Sequence, residues 1–97
     1  MHFEWDEQKN RANIRKHGFD FADAPEIFEA PMLVRRDARE DYGEARYVGV
    51  GFLKEHVMVV VFAERDNDTV RIISLRKALK HERLKFEEAI RNGLDAD

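Results

Sequence analysis

The apolar run HVMVVVFA, at His56–Ala63, decides the fold of this 97-residue chain. Valine occupies four of its eight positions, and polar residues do not alternate with the apolar ones. A near-continuous run of β-branched residues is typical of a strand that is buried on both faces. We therefore expect this segment to be the central strand of a sheet.

One further strand is expected on each side of this run. Arg46–Phe52 alternates apolar and polar residues, and Val70–Arg76 follows the turn residues Asp66–Asp68. The short connections between the three strands predict an antiparallel meander. Two shorter strands are predicted near the start of the chain, at Phe3–Trp5 and Met32–Arg36.

Three helices are expected to accompany these strands. The first is predicted over Glu7–His17, with Asp6 as its N-cap and Gly18 immediately after its C-terminus. The last is predicted from Leu79 to about Arg91, where apolar residues recur at helical spacing.

The second helix contains Pro25, which leaves two possible starting points. If Asp20 caps a helix that begins at Phe21, Pro25 kinks it; if Asp23 caps a later start, Pro25 lies in the first turn. In both cases the order of elements is β-α-α-β-β-β-β-α. This order predicts an α+β fold with helices packed on a small antiparallel sheet. The length allows a single domain over residues 1–97.

Composition excludes several classes of protein. The chain has no cysteine, which rules out a disulfide scaffold, a thiolate metal cluster and a cysteine nucleophile. No apolar run approaches the ~20 residues that a membrane helix needs, and the N-terminus lacks the pattern of a signal peptide. We expect a cytoplasmic protein without a membrane partner.

The net charge of −3 is unevenly distributed along the chain. Residues 20–44 sum to −5 and residues 86–97 to −3, whereas residues 65–85 sum to +4. The total therefore conceals a basic block near the C-terminus. Clustered arginines suit a phosphate group, because each planar guanidinium donates hydrogen bonds in pairs.

Common catalytic and cofactor motifs are missing. The four histidines do not pair at metal-binding spacing, so we expect neither a metal site nor a cofactor. Ser74 and Thr69 lie outside any nucleophile elbow. Gly49-Val50-Gly51 lies within a strand pattern, which indicates a close backbone contact or a bulge and not a phosphate loop.

The basic block is therefore the main candidate site. Strict strand alternation places Arg71 and Arg76 on opposite faces, unless the strand ends before Arg76. Arg65 could join Arg71 across the hairpin, and proton transfer would need a side chain from a neighbouring segment. The candidates for that transfer are His81, Glu64 and Glu87.

The helix that follows extends the basic block. Lys77, Lys80 and Arg83 follow one another at a spacing of three residues, which predicts a narrow basic stripe for RNA. A structural alternative remains open for the strand residues. In that alternative, Arg65 or Arg71 forms salt bridges with the acidic first half of the chain.

Five strings of residues, in order, resemble one known family. They are Phe3-Glu4-Trp5-Asp6, Asn13-Ile14-Arg15-Lys16-His17-Gly18, Asp41-Tyr42-Gly43-Glu44 with Arg46, Arg71-Ile72-Ile73-Ser74 with Arg76-Lys77-Ala78, and Glu82-Arg83 before Phe86-Glu87. Together they span nearly the whole chain and are similar to the BrnT toxins of bacterial type II toxin–antitoxin systems. The resemblance implies a RelE-like fold and a ribonuclease that blocks translation without a metal ion.

The resemblance also implies partners. The expected antitoxin is a BrnA-like ribbon-helix-helix protein, which links the toxin indirectly to operator DNA. Toxin and antitoxin are expected to assemble with more than one copy of each chain. The alternative is a catalytically weak member that mainly binds the antitoxin and acts in operon autoregulation.

Site residues follow from the matching strings. The resemblance implies Arg71 and Arg76 as phosphate ligands, and the Glu64-Arg65 pair as a possible base and a second ligand. His17 also matches the family, in the string Lys16-His17-Gly18, although a basic residue at the C-terminus of a helix has a structural explanation. One departure is Phe86, where many members have tyrosine, because a phenyl ring cannot donate a proton. If that tyrosine is catalytic in relatives, this chain is a weakened enzyme or His81 substitutes for it from about one turn away; if the tyrosine only packs in the core, nothing changes.

The resulting prediction comprises two groups of residues. The catalytic residues are Arg71, Arg76, Glu64 and His81, and the RNA-binding residues are Arg65, Lys77, Lys80 and Arg83.

Overall fold

The computed structural model describes residues 1–39 and 43–93 of the chain. Its elements are β1 (His2–Glu4), α1 (Glu7–His17), a 3₁₀ turn (Phe21–Asp23), α2 (Ala24–Ile27), β2 (Leu33–Asp37), β3 (Arg46–Leu53), β4 (His56–Arg65), β5 (Thr69–Lys77) and α3 (Lys80–Arg91). The predicted α+β order is confirmed. Asp41 and Tyr42, which belong to one of the family strings, lie outside the described residues.

The five strands form one sheet in the order β1-β5-β4-β3-β2. The β3-β4-β5 meander is antiparallel as predicted, and β2 adds to it antiparallel to β3. β1 pairs in parallel with β5, so the sheet is mixed and not wholly antiparallel. This parallel pair is possible because most of the chain lies between β1 and β5, which gives ample length for the crossover.

β4 is the central strand, and it is buried on both faces as its sequence predicts. On one face Met58, Val60 and Phe62 belong to the main hydrophobic core, which Phe21 and Ile27 complete. We call this the core face. On the opposite face, α3 packs at one end of the sheet and leaves the rest more open.

The segment around Pro25 adopts the later of the two predicted starts. α2 begins at Ala24, so Pro25 lies in its first turn, where a missing N–H costs no hydrogen bond. The capping residue is different from the one expected, since Asp23 makes no side-chain capping bond. Asp20 instead caps the preceding 3₁₀ turn, and its carboxylate accepts a hydrogen bond from the Ala22 N–H at 2.9 Å.

The two glycines of β3 allow α2 and the segment after it to approach the sheet. A Cβ atom at Gly51 would lie 2.9 Å from Cγ2 of Ile27, and one at Gly49 would overlap the end of the Met32 side chain. The close-contact interpretation of this pair is therefore confirmed.

α1 lies along the edge of β5 beyond the short β1 pairing. The Asn13 side chain is buried and bonds both backbone groups of Leu75: its amide donates to the carbonyl at 2.8 Å, and its Oδ1 accepts from the N–H at 3.1 Å. The same amide donates to the Phe19 carbonyl at 2.9 Å. One side chain thus replaces a neighbouring strand at this position.

Replacement of Asn13 by alanine is expected to lower the free energy of unfolding by about 2–4 kcal/mol. The variant leaves the buried N–H and C=O of Leu75 without partners, and unmade buried hydrogen bonds are costly. Chemical denaturation measures the change, with the exposed Gln8→Ala in the same helix as the control. A loss below about 1 kcal/mol in Asn13→Ala would contradict this role for the side chain.

Candidate functional site

A β-bulge in β5 determines which side chains share a face. Ser74 lies opposite Val61 and Ile72 lies opposite Phe62, so the intervening Ile73 has no partner on β4. One extra residue in a strand reverses the alternation of all the side chains beyond it. The side chains in the second half of β5 therefore point to the face opposite to the one that simple alternation predicts.

As a result, Arg71 and Arg76 lie on the same face of the sheet. Arg71 is opposite Ala63 and Arg76 is opposite Val59, two positions that are four residues apart on β4. Ser74 lies between the two arginines on this face. The expectation that the arginines point in opposite directions is wrong, because sequence periodicity does not reveal the bulge. We call this the arginine face; it is opposite the core face.

Arg71 is held by a residue of β1. Its Nη1 donates to Oε2 of Glu4 at 2.9 Å, and the two residues are direct neighbours in the parallel pair. The Arg71 side chain retains 30% of its exposure. The salt bridge with the acidic first half of the chain, left open by the sequence, is thus formed, and the remaining N–H groups lie beside solvent.

Arg76 forms a bidentate ion pair with Glu82 of α3. Nη1 donates to Oε1 at 2.8 Å and Nη2 donates to Oε2 at 2.9 Å. Nη1 also donates to the Lys77 carbonyl at 3.2 Å. The Nε–Nη2 side of the guanidinium makes no other hydrogen bond within residues 1–39 and 43–93, so it can still donate two parallel bonds.

Glu82 has two functions in the fold. Its Oε1 also accepts the N–H of Leu79 at 2.7 Å, which caps the N-terminus of α3. The hydrogen bond from Arg76 holds the pKa of Glu82 at about 2, well below its ordinary 4.5. The same bond raises the pKa of Arg76. The pair is therefore charged at all physiological pH values, and it fixes the position of the Arg76 side chain.

The other predicted catalytic residues are not all close to this pair. Glu64 lies opposite Val70, which belongs to the core, so it starts from the core face and not from the arginine face. The prediction that Glu64 acts beside the arginines is not supported by this register. His81 is adjacent to Glu82 in α3 and lines, with it, a cavity of about 340 Å³ between α3 and β2.

The predicted RNA-binding residues form two groups. Lys77, Lys80 and Arg83 come together around a cavity of about 570 Å³ at the end of the sheet. Arg65 lies opposite Thr69 on the arginine face, and its Nη2 is 3.2 Å from a carboxylate oxygen of Glu44. That ion pair is the second of the salt bridges left open by the sequence.

His17 is the partly buried last residue of α1. Partial burial lowers its pKa, and the positive charges of Lys16 and Arg76 lower it further. A neutral imidazole is suited to accept a proton. No sequence signal links His17 with Arg76, because α1 meets β5 only in the tertiary structure.

Phe86 belongs to the core under α3. Its side chain is fully buried, and its ring packs edge-on against Phe52 at a centroid distance of 5.1 Å. The position therefore faces the interior, where a tyrosine hydroxyl would need a buried partner.

The described residues include neither a metal-binding cluster nor a membrane-spanning helix. No group of three or more His, Asp or Glu side chains in residues 1–39 and 43–93 is arranged to hold a metal ion. No helix in the same ranges is long and apolar enough to cross a membrane.

Comparison with known proteins identifies the class. Residues 5–82 match a family described as the ribonuclease toxin, BrnT, of type II toxin–antitoxin systems. An α+β chain with this match is a toxin of a type II system, and such a toxin has an antitoxin as its partner. The chain belongs to the BrnT family.

A solved structure supports the same conclusion. The 1.1 Å crystal structure of the Brucella abortus ribonuclease toxin, BrnT, is 30% identical in sequence and has a TM-score of 0.69. The match covers 82% of this chain and 99% of the Brucella chain. No curated protein sequence matches the chain.

The Glu82–Arg76 pair predicts how stability depends on pH. The folded pKa of Glu82 is about 2 and its ordinary value is 4.5, so its contribution is complete above pH 4.5 and is lost as the pH falls toward 2. We expect Glu82→Gln to remove about 1–3 kcal/mol at pH 7, since solvent screening of this partly exposed pair reduces the linkage value.

Denaturation of both proteins from pH 7 down to pH 2 measures the effect. The Glu82→Gln variant should lose less stability between pH 4.5 and pH 2 than the unmodified chain. Glu88→Gln, in the same helix and without an ion pair to a described residue, is the matched control. Equal pH dependence in the two glutamine variants would show that the Arg76 pair does not stabilise the fold.

Proposed function

We propose that this toxin is a metal-independent endoribonuclease that inhibits translation in the cytoplasm. In this reaction the RNA 2′-hydroxyl attacks the adjacent phosphate, and the leaving 5′-oxygen takes up a proton. The observation that supports the site best is the bulge in β5, which places Arg71, Ser74 and Arg76 on one face of the sheet. The description of the family as a ribonuclease toxin supports RNA as the substrate.

The arginines provide binding and charge stabilisation. The Nε–Nη2 side of Arg76 can donate two parallel hydrogen bonds to a phosphate, the geometry in which arginine binds oxyanions best. The N–H groups of Arg71 that Glu4 does not use can approach the same phosphate. Both charges would stabilise the additional negative charge of the pentacoordinate phosphate in the transition state.

Glu82 and Glu4 keep the two guanidinium groups in place before RNA binds. A fixed donor stabilises a transition state better than a mobile one, because it needs no reorganisation during the reaction. Glu82 takes the Nη1–Nη2 end of Arg76 and leaves the adjacent side available. We assign Glu82 a positioning role on this basis.

Proton transfer is assigned to two histidines. His17 has a lowered pKa near Arg76, so it is neutral at pH 7 and can act as the general base. His81, next to Glu82 on α3, is the candidate general acid. This assignment replaces Glu64, whose register places it on the core face.

RNA beyond the scissile phosphate would contact the second basic group. Lys77, Lys80 and Arg83 border the cavity at the end of the sheet, and α3 connects this group to Arg76 through Glu82. Arg65 extends the arginine face at the hairpin end. These residues support a short contact with a few phosphates.

The antitoxin is proposed to be a BrnA-like ribbon-helix-helix protein. In this assembly more than one copy of each chain associates, and the toxin reaches operator DNA only through its partner. The observation in favour is the type II toxin family, whose members act with an antitoxin.

A second candidate function follows from the ion pairs. Arg71 and Arg76 are each paired with a carboxylate, which reduces the positive potential available for RNA. A toxin neutralised in this way would be a weak ribonuclease whose main role is to bind antitoxin and support autoregulation. Tight antitoxin binding without RNA cleavage would identify this case.

Removal of either arginine tests the main proposal. Arg76→Ala and Arg71→Ala should each lower kcat/KM for RNA cleavage by about 10²–10³, the usual effect of losing one oxyanion donor. The exposed Arg91→Ala should cleave as the unmodified chain does, and EDTA should change nothing. Cleavage that survives both arginine substitutions, or that EDTA abolishes, would overturn the mechanism.

The pH profile tests the general base. If His17 must be neutral, kcat/KM should rise with pH through a value below 6.5, the ordinary pKa of histidine. His17→Ala should remove this limb and lower the rate by about 10²–10⁴. His2→Ala, on the short β1, is the control. An unchanged acid limb in His17→Ala would assign the base to another group.

A further inference from the structure

The two edges of the sheet differ in how they are covered. At one edge, α1 lies along β5 and the Asn13 side chain bonds the backbone of Leu75. At the other edge, β2 pairs with β3 on one side, and no strand of the described residues pairs with its other side. Such an edge presents unpaired N–H and C=O groups to any extended chain that approaches.

The flank of α3 beside this edge is partly apolar. Two adjoining cavities of about 340 and 540 Å³ lie there, and both are lined by Leu33, His81 and Lys85. Leu84 lines the larger one and is 48% exposed. A strand added to β2 would direct every second side chain toward α3, so apolar residues at those positions would fill the cavities.

The charges on this edge select the occupant. Arg35, Arg36 and Lys85 are exposed, and none forms an ion pair with a described residue. Pairing of two copies of β2 would bring the arginines of one copy close to those of the other, which is unfavourable. A segment with carboxylates would be attracted to the same positions.

We propose that the outer edge of β2 and the adjoining flank of α3 bind an extended segment of the antitoxin that carries both apolar and acidic residues. The segment adds to the sheet as a strand: apolar side chains enter the cavities beside α3, one carboxylate lies beside Arg35 on the α3 side of the sheet, and another lies beside Arg36 on the opposite side. This inference depends on the toxin–antitoxin family and not on RNA cleavage. It explains why one edge of the sheet is covered within the chain and why no described strand or helix lies along the other.

Charge reversal tests the proposed surface. Arg35→Glu/Arg36→Glu should raise the Kd for the cognate antitoxin by about 10-fold or more, as measured by titration calorimetry, because close interfacial charge pairs are strongly coupled. Arg11→Glu/Lys54→Glu has the same change in net charge at other exposed positions and should bind normally. RNA cleavage by the single variant Arg36→Glu, whose side chain starts from the face opposite His81 and Glu82, should stay unchanged, which separates this proposal from the ribonuclease proposal. Equal Kd values in the two double variants would overturn it.

Backbone hydrogen exchange provides a second measurement. In the complex, amides within Leu33–Arg36 should become protected, as expected when a strand pairs with this edge. Unchanged exchange there would overturn the proposal even if the charge reversal weakens binding. Protection that appears in the toxin alone as its concentration rises would also overturn it, because a second copy of this chain would then be the occupant.

Discussion

The site depends on one irregularity of the sheet, the extra residue at Ile73. Without it, β5 would direct Arg71 and Arg76 to opposite faces, and one guanidinium would meet the buried core. With the bulge, both arginines and Ser74 share the face that the core leaves accessible. Bulges often occur beside functional sites because they change the direction of a side chain at little cost to the rest of the sheet.

The sheet in turn depends on the burial of β4. A strand that is apolar on both faces needs cover on both, and the 3₁₀ turn with α2 provides it on the core face while α3 provides it on part of the other. Incomplete cover by α3 is what leaves the arginine face open to a substrate. The carboxylate of Glu82 contributes both to α3 and to the arginine face, since it caps the helix and holds Arg76.

Electrostatics in this protein are local. The net charge of −3 describes neither the arginine face nor the edge of β2, because acidic residues neutralise some cations and leave others exposed. Arg71 and Arg76 are ordered by their carboxylate partners. Arg35 and Arg36 remain in solvent, where they discourage the pairing of two identical edges. Fixed cations suit chemistry, whereas exposed ones suit recognition.

Local signals in the sequence were sufficient for the elements. The β-branched run at His56–Ala63 determined the central strand, and Asp6 and Gly18 determined the ends of α1, because strand burial and helix capping are effects of neighbouring residues. The arginines were also found as candidates from the sequence. The string that contains these arginines is one of those that resemble the BrnT toxins, and the family match confirmed that class of protein.

Only the tertiary structure decided how these candidates are arranged. The bulge at Ile73 and the Arg76–Glu82 pair both depend on contacts between separate elements. The Asn13 side chain likewise meets Leu75 across 62 positions of the chain. Periodicity describes a regular strand or helix and contains no information on such contacts. The sequence therefore determined which residues are available for chemistry, and packing determined which of them meet.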